Sequence, residues 1–346
     1  MSLTAGKYWS IRRLTDRSGF FKMVAVDQRP PIMQLVQKKR GVDQASYEDV
    51  AAAKISLTKV LAPHASAVLL DPIWAWPNAH SLLDPAKGVV ITLEEHAFAE
   101  DEKGRRSSNI ADWSVAKIKA MGGDAVKALA WYRPDGDPET CKIQQDYVEA
   151  IGAACRRYDI CFLLELLTYP LPGEQGQTKD YIEHNSKNAR NVLDSVREFA
   201  DPRYGVDIFK LESPVPAPQV PSPGEAGSDK VQALFDEMGQ LSPVPWVMLS
   251  AGANMGEFER VMHYAYRAGA SGYLAGRAIW LKAMQNFPDM AAVEAELTRE
   301  ALPYMDRLNH MTDEMGTPWF AHRSIGGTPV IEGAGPDFPK NYAVAF

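Results

Sequence analysis

The sequence predicts a (β/α)8 TIM barrel, an α/β fold in one enlarged domain with a C-terminal extension. Three observations predict it. Eight short apolar runs recur along the 346 residues. Helix-like amphipathic segments separate most of them. Polar residues are embedded in the runs or end them, where a barrel carries its functional groups. Most runs are too short for helices and lack period-2 alternation, as do parallel strands buried on both faces. A doubly wound sheet is the alternative, and it too would place its site at the carboxyl ends of its strands. A barrel commonly takes about 250 residues. A barrel domain over 1–317 and a Gly/Pro-rich extension over 318–346 account for the length.

The first run, 23–26, ends at Asp27, and the second, 67–70, ends at Asp71. The third, 89–93, ends at Glu94. The fourth spans 124–132 and carries Lys127, and the fifth spans 161–168 and carries Glu165. The sixth, 207–212, carries Lys210 and ends at Glu212. The seventh, 246–250, ends at Ser250, and the eighth, 272–276, leads into Arg277. Helices are expected over 46–61, 112–121, 141–158, 179–199, 229–241 and 257–268. Asp112 and Asp229 are expected N-caps, and Glu257 brings an acid to a first turn. The second-to-third connection, with Trp74, Trp76 and Pro77, shows no clear helix. Five prolines in 214–223 make a loop, partly extended, directly after the sixth strand. That position makes it a candidate active-site loop. The tail after Pro318 is expected to wrap over the barrel or to serve an oligomer contact.

The formal net charge of −7 argues against a nucleic-acid or anionic-membrane surface, but not against a small basic phosphate pocket. No stretch approaches the roughly 18 apolar residues of a membrane helix. Residues 1–6 open no signal peptide. Cys141, Cys155 and Cys161 lack CxxC spacing and fit a reduced, cytoplasmic setting. The seven histidines form no HxH, HExxH or HxxxH set, so no metal site is expected. There is no GxGxxG, Walker A or GxSxG motif, which argues against nucleotide and α/β-hydrolase chemistry.

Lys127 and Lys210 stand inside strongly apolar runs. Burial disfavours the charged form of a lysine, and a second ammonium nearby pushes the same way. The result is a neutral amine, which is what a Schiff-base nucleophile requires. A structural lysine salt-bridged to Glu165 or Asp27 fits the same pattern. Glu165 must be paired or have a raised pKa, and either state suits proton transfer. Asp27, Gln28 and Arg29 form a polar cluster straight after the first strand. The turns Ser250-Ala251-Gly252 and Gly276-Arg277 follow the seventh and eighth strands, where many barrels bind phosphate. Glycine allows close approach of the backbone, and arginine supplies a forked donor. Two ordinary strand-to-helix turns would look the same.

Seven motifs in order carry a family resemblance over residues 20–280. They run from Val26-Asp27-Gln28-Arg29 and Leu69-Leu70-Asp71-Pro72, through Gly123 to Lys127 and Leu164 to Tyr169, to Tyr204 through Glu212, Leu249 to Gly252, and Gly276 to Trp280. The chain resembles the class I tagatose-1,6-bisphosphate aldolases, within a wider group of Schiff-base aldolase barrels. The resemblance implies that Lys210 forms the imine, that Glu165 is the acid/base carboxylate, and that Lys127 and Asp27 are its polar partners. It implies that Gln28, Arg29, Ser250, Gly252, Gly276 and Arg277 line a phosphorylated ketose. It also implies no metal or other cofactor, cleavage to dihydroxyacetone phosphate and glyceraldehyde 3-phosphate, and a cytoplasmic homo-oligomer without nucleic-acid or membrane partners. Pro30 and Pro31 replace a common glycine, and Ser213-Pro214 replaces an apolar residue and proline. The segments 245–250 and 272–277 look closer to sulfofructose-phosphate aldolases, so 6-deoxy-6-sulfofructose 1-phosphate is an alternative substrate. A non-catalytic phosphosugar sensor is the alternative of another class. Retention of both Lys210 and Glu165 speaks against it.

Overall fold

Eight parallel strands close into a barrel, each hydrogen-bonded to its neighbours and the last to the first. They are β1 (Phe21–Ala25), β2 (Ala67–Leu70), β3 (Gly88–Thr92), β4 (Ala125–Trp131), β5 (Cys161–Leu167), β6 (Ile208–Leu211), β7 (Trp246–Met248) and β8 (Gly272–Ala275). This is a (β/α)8 barrel, and each of the eight overlaps an expected run. The doubly wound alternative is thereby excluded. The computed structural model describes residues 2–171, 173–174 and 187–342.

Strand parity sorts the side chains. Outward residues such as Val24, Val68, Ile91, Val126, Phe162, Phe209, Met248 and Tyr273 pack against the helices in the largest apolar cluster. Inward residues Phe21, Met23, Leu69, Val90, Ala125, Leu163, Ile208, Val247 and Leu274 fill the barrel's lower interior. Both faces are apolar, which is why the strands show no alternation in hydropathy. The lower mouth is plugged by the helix Ala5–Leu14, whose Ile11 and Leu14 join that inner cluster with Leu3 and Trp319. Lys7 anchors the plug to Asp207 at 2.8 Å, and Arg13 anchors it to Asp124 at 2.6 Å.

The crossover helices are Tyr47–Leu61, Val115–Ala120, Pro138–Arg157, Ala189–Phe199, Ser228–Leu241 and Met255–Arg267. Residues 179–186 of the expected fourth helix lie outside the described residues. Two expected caps are corrected. Ser114, not Asp112, caps its helix by accepting from the Lys117 amide, while Asp112 sits in a left-handed turn with φ 57°. Gly227 stands at the next N-cap, which leaves Asp229 in the first turn, where its charge suits the helix dipole. Asn254 and Glu257 form a full capping box. The Trp/Pro-rich connection after β2 holds only a four-residue helix, Trp76–Ala79, followed by a 3-10 turn. Among the described residues, no helix is long and apolar enough to cross a membrane.

Candidate active site

A cavity opens at the carboxyl end of the barrel. Asp27, Gln28, Arg29, Lys127, Glu165, Lys210, Ser250, Gly276 and Arg277 all line it. Strand parity delivers Lys127, Glu165 and Lys210, and the others stand in the segments just past β1, β7 and β8. Lys127, Glu165 and Lys210 lie two residues beyond Ala125, Leu163 and Ile208 respectively, all of which point into the barrel.

Glu165 and Lys210 are paired residues of adjacent strands β5 and β6. Lys210 Nζ donates to Glu165 Oε2 at 3.0 Å. The same oxygen lies 2.8 Å from Lys127 Nζ. Lys127 also donates to Glu94 Oε1 at 2.5 Å and to Asp27 Oδ2 at 3.2 Å. Thr92 Oγ1 donates to Asp27 Oδ2 at 3.0 Å. Arg29 NH1 donates to the Glu94 carbonyl at 2.9 Å, and its NH2 lies 3.4 Å from Glu94 Oε1. All six charged residues are buried. Three cations therefore face three carboxylates in one continuous chain, which offsets much of the cost of burial.

The environment sets the protonation states. Burial disfavours the Lys127 ammonium, but Glu165, Glu94 and Asp27 outweigh it and hold its pKa well above the ordinary lysine value. The expectation of a neutral amine therefore does not apply to Lys127. Burial pushes Glu165 up, yet Lys127 and then Lys210 hold it below the ordinary carboxylate value. Asp27 is driven well below its usual value, with Lys127, Lys210 and Arg29 overcoming desolvation. Glu94 goes the other way: burial prevails over Lys127 and Arg29 and raises it.

Two turns complete the wall. Ser250 and Ala251 line the cavity, and Ala251 and Gly252 both take left-handed backbone conformations, φ 45° and 88°. Gly252 itself is not part of the cavity wall. At Gly276 a Cβ would lie 2.6 Å from Gln28 Nε2 and 2.7 Å from the Ala25 carbonyl, so only glycine fits. Asp71 and Glu212 end strands but serve elsewhere. Asp71 pairs with the fully buried Lys54 at 2.6 Å. Glu212 accepts from the Thr168 amide and hydroxyl at 2.7 and 2.8 Å. The proline-rich loop packs on the helix Met255–Arg267 through the Val220 and Pro221 carbonyls, and none of its described residues lines the cavity.

Sequence reasoning placed Glu94 at a strand end but gave it no role. The signal was there, because Thr92 and Glu94 share the parity of inward-facing Val90. His96, Leu129, Leu167 and Leu249 also line the cavity without any mark in the sequence. Burial holds the His96 imidazole below its ordinary pKa.

A family model described as DeoC/LacD family aldolase matches residues 21–282. The tagatose 1,6-diphosphate aldolase of Listeria monocytogenes serotype 4a is 32% identical over 341 residues, covering 96% of this chain and 99% of that protein. Tagatose 1,6-diphosphate aldolase 1 of Streptococcus mutans serotype c is 30% identical over 327 residues, covering 92% and 99%. Among solved structures, the fructose-bisphosphate aldolase of Plasmodium falciparum superposes with a TM-score of 0.61 at 11% identity, covering 92% of this chain and 98% of that one. An archaeal fructose-1,6-bisphosphate aldolase, solved with its catalytic lysine covalently bound to the carbinolamine intermediate, gives a TM-score of 0.55 at 14% identity, covering 88% and 99%. At such identities the structural likeness shows a shared fold.

Proposed function

The chain belongs to the DeoC/LacD family of aldolases and is thus a carbon–carbon lyase, and from that premise we propose a class I mechanism through an imine on Lys210. One observation carries this reading: Glu165 Oε2 lies 3.0 Å from Lys210 Nζ and 2.8 Å from Lys127 Nζ. A nucleophile thus touches its proton acceptor, and a cation fixes that acceptor in its ionised form.

In this mechanism Glu165 takes a proton from Lys210, and the free amine adds to the C2 carbonyl of a ketose. Glu165 returns that proton to the C2 hydroxyl, which leaves as water, giving an iminium and an ionised Glu165 again. Glu165, directly or through water, then removes the C4 hydroxyl proton. The C3–C4 bond breaks, an aldehyde leaves, and the electron pair flows into the iminium to form an enamine. Protonation at C3 and hydrolysis release the second product and regenerate Lys210. The iminium is the electron sink, so the step requires no metal. The names of the relatives favour tagatose 1,6-bisphosphate as substrate, with dihydroxyacetone phosphate and glyceraldehyde 3-phosphate as products. Gln28, Arg29, Ser250, Gly276 and Arg277 would hold the ketose, with the two late turns anchoring one phosphate and Gly252 shaping the first of them.

Borohydride reduction in the presence of dihydroxyacetone phosphate tests the proposal. Mass spectrometry is expected to find one adduct, on Lys210. No adduct, or loss of activity in a chelator, overturns the class I reading. Turnover of tagatose, fructose and sulfofructose phosphates then ranks the substrates.

A further inference from the structure

Glu94 is a carboxylate of the buried chain to which the proposed reaction gives no task. Its Oε1 is engaged, 2.5 Å from Lys127 Nζ and 3.4 Å from Arg29 NH2. Its Oε2 is buried and has no hydrogen-bond partner among the described residues. Glu94 is 2% exposed and stands in the cavity wall. A buried carboxylate oxygen left unpaired costs free energy until a partner arrives. Because Glu94 belongs to the cavity wall, a bound ligand is the candidate partner.

The chemistry of that partner can be narrowed. A phosphate brought against Glu94 would set anion against anion. A hydroxyl suits the site in either protonation state of the carboxyl group, because it both donates and accepts. Position narrows it further. Lys210, Glu165, Lys127 and Glu94 stand on or just past four successive strands of the barrel, β6, β5, β4 and β3. In the proposed mechanism the first holds C2 and the second takes the C4 hydroxyl proton. The third has its three N–H donors directed at carboxylates. The next charged residue in this strand order is Glu94, and the next hydroxyl along the sugar is that on C5.

We propose that Glu94 is a specificity-determining residue whose Oε2 hydrogen-bonds the C5 hydroxyl of the ketose. In the condensation direction this is the C2 hydroxyl of the aldehyde. The inference rests on the class I reading above.

The test compares two aldehydes condensing with dihydroxyacetone phosphate: glyceraldehyde 3-phosphate and its 2-deoxy analogue, 3-phosphooxypropanal. The wild type is expected to prefer the hydroxylated aldehyde by about 10–100-fold in kcat/KM, the range for one hydrogen bond to a charged group. Glu94→Leu, similar in volume but without polar atoms, should reduce the preference at least tenfold. Glu94→Gln, which still presents a polar group there, should retain most of it. General damage to the Lys127 network falls on both aldehydes alike, so the ratio carries the answer. A wild type indifferent to the hydroxyl overturns the proposal without any variant. So does a Glu94→Leu enzyme with an unchanged ratio, which would leave Glu94 only a support for Lys127 and Arg29. Borohydride trapping on wild-type Lys210 separates these outcomes from failure of the class I reading itself.

Discussion

Lys127 has three N–H donors and meets three carboxylates, Asp27, Glu94 and Glu165. While those contacts stand it has no donor to offer a substrate, so its work is to hold Glu165 ionised against Lys210. Replacing it with methionine removes a shared cation from three buried carboxylates. Lys127→Met is expected to cost roughly 3–5 kcal/mol in chemical denaturation, as for one partner lost from a buried ion pair. The pH response has a defined sign. Glu165 and Asp27 titrate below their ordinary values in the fold. Their pairing therefore contributes stability that is fully present above the unfolded carboxylate range, about pH 4. It is lost as pH falls through the lowered folded values. Glu94, raised by burial, acts oppositely and is relieved as pH falls. Without Lys127 the acid limb of kcat/KM should move up toward neutrality, and an unchanged limb would show that Glu165 does not depend on this cation. Glu165→Gln should lower kcat by about 10²- to 10⁴-fold, the usual contribution of a positioned base. Lys127, Glu165 and Lys210 were legible because charges in apolar strands demand an explanation. Their sharing of a single oxygen was not, since it depends on which strands become neighbours when the barrel closes.

At the scale of the element, the turn after β8 carries the tightest constraint near the cavity. Gly276 lets Gln28 and the Ala25 carbonyl come within reach of a position where a Cβ would clash. The Ala25 carbonyl is a fixed backbone atom and also accepts from Trp280 Nε1 at 3.0 Å. Gln28 must give way, and because the carbonyl cannot, the turn at 276 must shift as well. Gly276→Ala is expected to cost about 1–3 kcal/mol, typical of overpacking, and to raise KM more than it lowers kcat, because Gln28 lines the pocket while Lys210 is untouched. A melting curve and steady-state kinetics check both parts. All eight strands were readable because each is a short run buried on both faces. The helix Pro30–Arg40 was not, although Ile32 and Val36 are four apart on its buried face. Pro30 and Pro31 read as a break, whereas proline is well suited to a first helical turn. The plug helix Ala5–Leu14 and the helix Leu302–Met315 were also missed. The plug helix buries Lys7 and Ser10 beside Ile11 and Leu14, so its buried face is not uniformly apolar.

For the whole molecule, the open question is how the tail relates to the barrel. The sequence suggested a boundary at 317, since glycine and proline erase any helical or strand period beyond it. Trp319 is nevertheless buried, meets the Tyr8 ring edge-on at 6.0 Å, and belongs to the apolar cluster of the barrel's lower interior. Its amide donates to the Gly19 carbonyl at 2.9 Å, just before β1. Farther on, Val330–Ile331 pairs in parallel with Ser2–Leu3, ahead of the plug helix. The tail thus fixes the plug from outside while Trp319 completes it from within. We therefore propose that the described tail, 318–342, is part of the barrel's closure and not a separable extension. Trp319→Ala should cost about 3–5 kcal/mol, the range for truncating a buried tryptophan. Deleting 318–346 should cost at least as much, because it also removes the two-stranded clamp. The buried chain of charges proposed to carry the reaction lies at the opposite mouth, so at a temperature where the truncated protein remains folded, kcat should stay within about threefold of the full chain, a shift below about 1 kcal/mol in the barrier. Differential scanning calorimetry and kinetics on the two forms decide it. An unchanged melting temperature restores the boundary at 317, and a collapse of kcat in the folded, truncated protein would tie the tail to the chemistry itself.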